Sequence, residues 1–101
     1  MVKRAALNIA KEYINSLPAE LGVRKAYLFG SYAKGNQSDE SDIDIAIIIG
    51  SVSNIFDIQM QLLRLRRKLD LRIEPHPIRE ADFSISNPFA DEIMQSGIEL
   101  V

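Results

Sequence analysis

The sequence predicts a small α/β or α+β domain, a sheet covered by helices. Three observations carry that expectation. Apolar residues recur at helical spacing near the N-terminus and again in the second half, strand-like apolar runs and alternations lie between them, and the connections are short. A chain of 101 residues is expected to form one domain over 1–101, because that length lies near the common domain size and leaves no room for a second core.

Each element has its own signal. Ala5, Ala6, Ile9, Ala10, Tyr13, Ile14 and Leu17 share a helical stripe that Pro18 closes, which predicts an amphipathic helix over about residues 3–17. Ala26-Tyr27-Leu28-Phe29 is a short apolar run stopped by Gly30-Ser31, the pattern of a buried strand ending in a tight turn. Tyr32 to Ser41 is polar; Gly35, Asn36, Ser38 and Asp39 favour turns, and Ser31 to Lys34 is long enough for one helical turn. Ile43, Ile45, Ile47 and Ile49 alternate with Asp42, Asp44, Ala46 and Ile48, giving a strand whose first two positions on one face are acidic, closed by Gly50-Ser51. Ile55, Ile58, Leu62, Leu65 and Leu69 form the stripe of a further helix, with Asn54 as its N-cap. Leu71 and Ile73 face one side of the next strand and Asp70, Arg72, Glu74 and His76 the other, with Pro75 and Pro77 expected to stop it. Pro88 is placed to open a last helix, with Phe89, Ile93 and Met94 expected to be buried and Gly97 ending it before Ile98-Glu99-Leu100-Val101.

Composition narrows the function classes. Hydrophobic residues make up 47% and charged residues 26%, a globular balance, and no run approaches the roughly 20 apolar residues that cross a bilayer. A soluble protein with no membrane role is expected. Lys3 and Arg4 are followed by Asn8, Lys11 and Glu12 instead of an apolar signal core, and there is no cysteine for a disulfide or a thiolate zinc site, so the expected compartment is cytoplasmic. A net charge of -2 lacks the basic footprint of a nucleic-acid binder, so nucleic acid is not expected as the direct substrate.

The chemistry concentrates in residues 30–44: a Gly-Ser pair, ten intervening residues, then Asp42-Ile43-Asp44. Carboxylates at i and i+2 of a strand project from one face about 7 Å apart along the backbone, within reach of a shared pair of hard cations. Like charges so close are costly unless a cation or basic partner neutralises them. In a two-metal site the ions sit about 3.5–4 Å apart and stabilise the attacking and leaving oxygens of an in-line phosphoryl displacement. Gly30 allows a sharp turn and a close approach, Ser31 adds a hydroxyl and a backbone N–H, and Lys34 can reach the same anion, so Gly30, Ser31 and Lys34 are candidates for holding phosphates. The third carboxylate is expected from the later acidic strand, as Glu74 or, alternatively, Asp70.

The Gly-Ser, ten-residue, Asp-x-Asp pattern resembles the signature of the nucleotidyltransferase fold of the DNA polymerase beta superfamily in its minimal, stand-alone form. Gly30, Ser31, Asp42 and Asp44 match it without a gap, and the order of helices and strands fits over most of the chain. The resemblance implies a small mixed sheet flanked by helices, two Mg²⁺ ions, an NTP donor, most often ATP, and release of pyrophosphate. It also implies catalytic, metal-binding roles for Asp42, Asp44 and the third carboxylate. One departure is that members usually carry an aspartate on the later strand, where this chain has Glu74 in Arg72-Ile73-Glu74-Pro75-His76, with Asp70 four residues earlier.

Proteins of this size also resemble the antitoxin of two-gene modules whose toxin is a helical HEPN-type RNase. The acceptor implied is then that protein partner, which the small transferase adenylylates; a homo-oligomer is another expected assembly. Two rival readings are a non-catalytic antitoxin that neutralises the RNase by binding, and a small-molecule nucleotidyltransferase. Blander readings stand beside the sharp ones: a Gly-Ser dipeptide alone is an ordinary turn, Asp70 or Glu74 can pair with Arg72, and the single histidine, His76, is more often structural. Arg64, Arg66, Arg67 and Lys68 read as a solvated helix face, and Leu63, off the main stripe, as a possible partner surface.

Overall fold

The computed structural model describes residues 3–35 and 41–101, so the turn expected around Asn36, Ser38 and Asp39 lies outside the described residues. The first helix, α1 (Lys3–Ser16), buries Ala6, Ala10, Tyr13 and Ile14. That spacing of four, three and one turns a single stripe inward. After a short 3₁₀ turn, β1 (Val23–Phe29) begins three residues before the apolar run does. Its polar start is carried by pairing, since Val23 and Lys25 sit opposite Ile49 and Ile48 of the next strand. The expected single turn is present as α2 (Ser31–Lys34), ended by Gly35.

The central strand, β2 (Ile43–Ile49), is antiparallel to β1 and buried on both faces from Ile45 onward. Such burial is what an almost uninterrupted run of isoleucines is suited to. The crossover helix α3 (Ile55–Arg66) starts at Asn54, whose side-chain oxygen accepts from the N–H groups of Phe56 and Asp57 at 3.0 and 3.4 Å. Losing that cap costs about 1 kcal/mol in comparable helices. Asn54→Ala is therefore expected to lower the urea midpoint with an unchanged m-value, as read in equilibrium unfolding. The α3 stripe ends at Arg66, before Leu69, yet Leu69 still packs against the core from the following turn. Tyr13 reaches across from α1 and donates its hydroxyl to the Leu62 carbonyl at 2.7 Å. Burial pushes that phenol pKa upward, outweighing the opposing Arg66 charge, so it stays a neutral donor.

The next strand corrects the sequence reading. Pro75 and Pro77 do not stop it: β3 runs Ile73–Arg79, parallel to β2, and it begins after Asp70, Leu71 and Arg72, which form the preceding turn. Proline removes a ladder donor only where its N–H would face a neighbouring strand, and β3 is an edge of a sheet ordered β3-β2-β1 and then a short fourth strand. Its outward carbonyls are occupied from α3, with Gln59 donating to Pro75 at 3.0 Å and Arg66 to Ile73 at 2.8 Å. Arg66 is thus a fastening residue instead of part of a solvated basic face, whereas Arg64, Arg67 and Lys68 are exposed.

The last helix, α4 (Pro88–Ser96), is capped by Asn87 and carries Pro88 in its first turn. Its buried residues are Ala90 and Ile93; Phe89 and Met94, expected inside, are 43% and 36% exposed. One residue along a helix rotates the side chain by about 100°, so the face that seats Ala90 and Ile93 turns both neighbours away. Beyond Gly97, β4 (Ile98–Glu99) pairs with β1, an edge strand too short to leave a periodic signal. The α1, α2 and α3 side of the sheet holds Tyr13, Leu28, Tyr32, Ile43, Ile45, Ile47, Ile49, Leu62 and Ile73. The opposite face is thinner, with Tyr27, Ala46 and Ile48 beneath Ile93 of α4. The result is a mixed sheet with helices on both sides, and no helix of the described residues is long and apolar enough to cross a membrane.

Candidate active site

The candidate residues gather on the thin face of the sheet, at the end where β1 finishes and β2 and β3 begin. Directly opposed residues share a face, so the register sets Phe29, Asp44 and Glu74 in one row across β1, β2 and β3, and Tyr27, Ala46 and His76 in the next. Asp42 is exposed, just ahead of β2, in a segment whose ladder continues through the Ile43 N–H to the Arg72 carbonyl at 2.8 Å. Strand alternation, continued one residue ahead of β2, would put Asp42 on the side of Asp44. Among the described residues no three Asp, Glu or His side chains close into a ligand cluster. Asp44 and Glu74 are neighbours in register, and Asp42 stands at the rim.

Asp44 is held more firmly than its neighbours. Gly30 has φ 75° and ψ -147°, a conformation that only glycine adopts readily. A Cβ on Gly30 would lie 2.5 Å from Asp44 Oδ2, so the carboxylate occupies the space that the missing side chain leaves. The other oxygen, Oδ1, lies 3.2 Å from His76 Nε2. The His76 ring in turn meets Phe29 edge-on at 5.1 Å between centroids, and Phe89 lies 6.3 Å away. Glu74 is half-buried, with Arg66 Nη1 3.9 Å from its Oε1.

The remaining candidates are distributed around this row. Ser31 is half-buried at the start of α2, beside Gly30. Lys34, at the end of α2, donates from Nζ to Glu92 Oε1 of α4 at 2.5 Å, so it faces the α2–α4 gap. Asp70 is set apart in the turn before β3, where Arg72 grips it through Nε at 3.0 Å, Nη2 at 2.7 Å and the backbone N–H at 2.9 Å. Those side-chain hydrogen bonds hold its carboxyl below the usual carboxylate range, against the opposing effect of burial, and raise Arg72. A depressed folded-state pKa supplies stability that is present above the unfolded value of about 3.9 and lost as pH falls through the folded one. Asp70→Asn is accordingly expected to lower Tm at neutral pH, with the deficit shrinking under acid conditions, as followed by thermal melts across that range.

The sequence reading missed His76 as a partner of Asp44 and missed the aromatic wall of Phe29 and Phe89. The signal available for His76 was its place two residues beyond Glu74, on the same face of one strand.

Comparison with known proteins follows the same lines. Residues 11–101 match the family described as "Polymerase beta, Nucleotidyltransferase". Three proteins of Methanocaldococcus jannaschii, each provisionally named as a protein adenylyltransferase, are similar in sequence. One is 28% identical over 93% of this chain and 97% of its own length. The second is 44% identical over 52% of this chain and 51% of its own length, and the third 36% identical over 63% and 64%. Among solved structures, a protein from Sulfolobus solfataricus provisionally named as a nucleotidyltransferase superposes with a TM-score of 0.68 at 22% identity, covering 96% of this chain and 80% of that one. A toxin–antitoxin structure with AMP-PNP gives 0.58 at 23% identity over 94% and 72%. A mutant of the MntA–HpeT toxin–antitoxin pair gives 0.56 at 20% identity over 100% and 73%.

Proposed function

The chain belongs to the polymerase beta nucleotidyltransferase family, and within it we propose that this protein transfers AMP from ATP to a protein acceptor, as the antitoxin of a pair whose toxin is a HEPN-type RNase. The observation that carries the proposal is the row of Asp44 and Glu74 beside the Gly30 corner, with Asp42 two residues ahead. The similarity to three proteins named as protein adenylyltransferases supports the reaction class and the protein acceptor. The fold shared with two toxin–antitoxin structures, one of them with AMP-PNP, supports the partner and the nucleotide.

The donor set fits Mg²⁺. Asp42, Asp44 and Glu74 offer only carboxylate oxygens, the ligands of hard divalent cations, and the Asp44 carboxylate reaches into the space left by the absent side chain of Gly30. Bound there, a pair of Mg²⁺ ions would supply charge stabilisation and alignment for in-line displacement at the α-phosphorus. The chain's own residues do the rest. Gly30 and Ser31 hold the triphosphate through backbone N–H groups and the Ser31 hydroxyl, and Lys34 turns from Glu92 toward the same oxygens. Glu74 accepts the proton of the acceptor hydroxyl as that oxygen bonds to the α-phosphorus, the α–β bridge breaks, and pyrophosphate leaves. The proposed setting is the cytoplasm, where ATP and Mg²⁺ are abundant.

The test incubates the purified protein and the product of its neighbouring gene with ATP labelled at the α-phosphate and Mg²⁺. Label on the partner is the expected result. Label on neither protein, together with partner inhibition that persists without nucleotide, overturns the enzymatic reading in favour of an antitoxin that acts by contact.

A further inference from the structure

We infer that His76 is a positioning residue for the Asp44 carboxylate, held in place by the two prolines that flank it; the inference rests on the function proposed above. A carboxylate only accepts hydrogen bonds, so at 3.2 Å the His76 Nε2 carries the proton and donates it to Asp44 Oδ1. Gly30 lies against Oδ2. Oδ1 therefore has a donor while Oδ2 fills the space beside a residue without a side chain, and the hydrogen bond from His76 sets the carboxylate's orientation before any ligand arrives.

The sequence around His76 is built to hold that donor still. In Glu74-Pro75-His76-Pro77 both Glu74 and His76 precede a proline, which confines each to extended backbone, and the prolines fix their own φ. Alternation then sends Glu74 and His76 to one face of β3. His76 pairs in register with Ala46, two positions along β2 from Asp44, and the small Ala46 side chain leaves the diagonal path to Asp44 open. Phe29 fixes the ring by an edge contact. Prolines are tolerated here because β3 is the sheet edge, so the feature that broke the strand rule is the one that stiffens the site. A hydrogen bond to a ligating group, made by a residue that does not itself ligate, typically contributes 10–100-fold in metal affinity (roughly) where such partners have been removed.

Because His76 is the single histidine of the sequence, its ring can be read without assignment. Nitrogen-15 NMR of the neutral ring in the whole protein is expected to show one tautomer, protonated at Nε2, that becomes a mixture in Asp44→Ala. Titration with Mn²⁺ is the second readout. His76→Phe keeps an aromatic ring against Phe29 and removes the donor, and is expected to weaken Mn²⁺ binding by about 10-fold or more while Tm stays near wild type. His76→Gln, whose amide reaches a similar position, is expected to restore most of the affinity. In turnover, kcat is expected to fall with His76→Phe while KM for ATP changes little. A mixed tautomer in the wild type, or Mn²⁺ binding by His76→Phe equal to wild type while Asp44→Asn loses it, overturns the inference and leaves the proposed function standing. Equal binding by wild type and Asp44→Asn overturns the proposed function instead.

Discussion

Asp44→Asn is expected to lower transfer of labelled AMP by at least about a thousand-fold, a loss of roughly 4 kcal/mol in transition-state stabilisation, while Tm stays at or slightly above the wild-type value. The two halves of that expectation have separate physical causes. Asparagine keeps the size of the carboxylate and still offers Oδ1 to His76 Nε2, so the contacts that seat the side chain survive. Removing the charge also relieves the like-charge pairing with Glu74 directly across the strand boundary, which opposes folding wherever no cation neutralises it. What disappears is the anionic oxygen proposed to hold the divalent cation. A rate assay and a melt on the same preparation check both halves. Retained transfer in Asp44→Asn removes Asp44 from the chemistry. A partner RNase still inhibited by this variant, with transfer lost, assigns inhibition to contact and makes modification a separate event.

The parts of this architecture that show in the sequence are those fixed locally. The α1 stripe, the isoleucine alternation of β2, the Asn54 cap and the single turn after Gly30 each follow from periodicity or from the chemistry of one or two side chains. The errors fall where a distant element decides. Whether Pro75 and Pro77 end a strand depends on which side of it has a neighbour, and no local window reports that β3 is an edge. Whether Phe89 or Ala90 is buried depends on how α4 is rotated over Tyr27 and Ile48, and hydrophobicity alone favours the larger residue. The acidic pair and the Gly-Ser corner were legible as a candidate site. Which of Glu74 and Asp70 stands beside Asp44 was not, because it turns on the parallel register that sets Glu74 opposite Asp44, and on an arginine two residues from Asp70 that engages it fully. The bond from His76 to Asp44 crosses 32 residues of sequence and belongs to the same class.

At the Gly30 corner fold stability and the proposed chemistry meet in a single atom, and Gly30→Ala separates them. With φ at 75° and ψ at -147°, a side chain there costs about 1–3 kcal/mol from backbone strain alone. The added Cβ would also stand 2.5 Å from Asp44 Oδ2, a distance that forces the carboxylate to rotate and breaks its alignment with His76. For a chain of this size the strain corresponds to a fall in Tm on the order of 10 °C, and Mn²⁺ binding is expected to be lost with it. Gly35→Ala supplies the control, since Gly35 also has positive φ, at 79°, but nothing among the described residues lies within 4 Å of its would-be Cβ. It is expected to reduce stability modestly through backbone strain and to leave Mn²⁺ binding intact. A double-mutant cycle isolates the contact itself: adding Asp44→Ala to Gly30→Ala removes the group that the new methyl strikes, so part of the lost stability is expected to return. If the two substitutions are instead strictly additive in Tm, and Gly35→Ala abolishes Mn²⁺ binding as completely as Gly30→Ala, then the packing of the Asp44 carboxylate against Gly30 plays no part in holding the site.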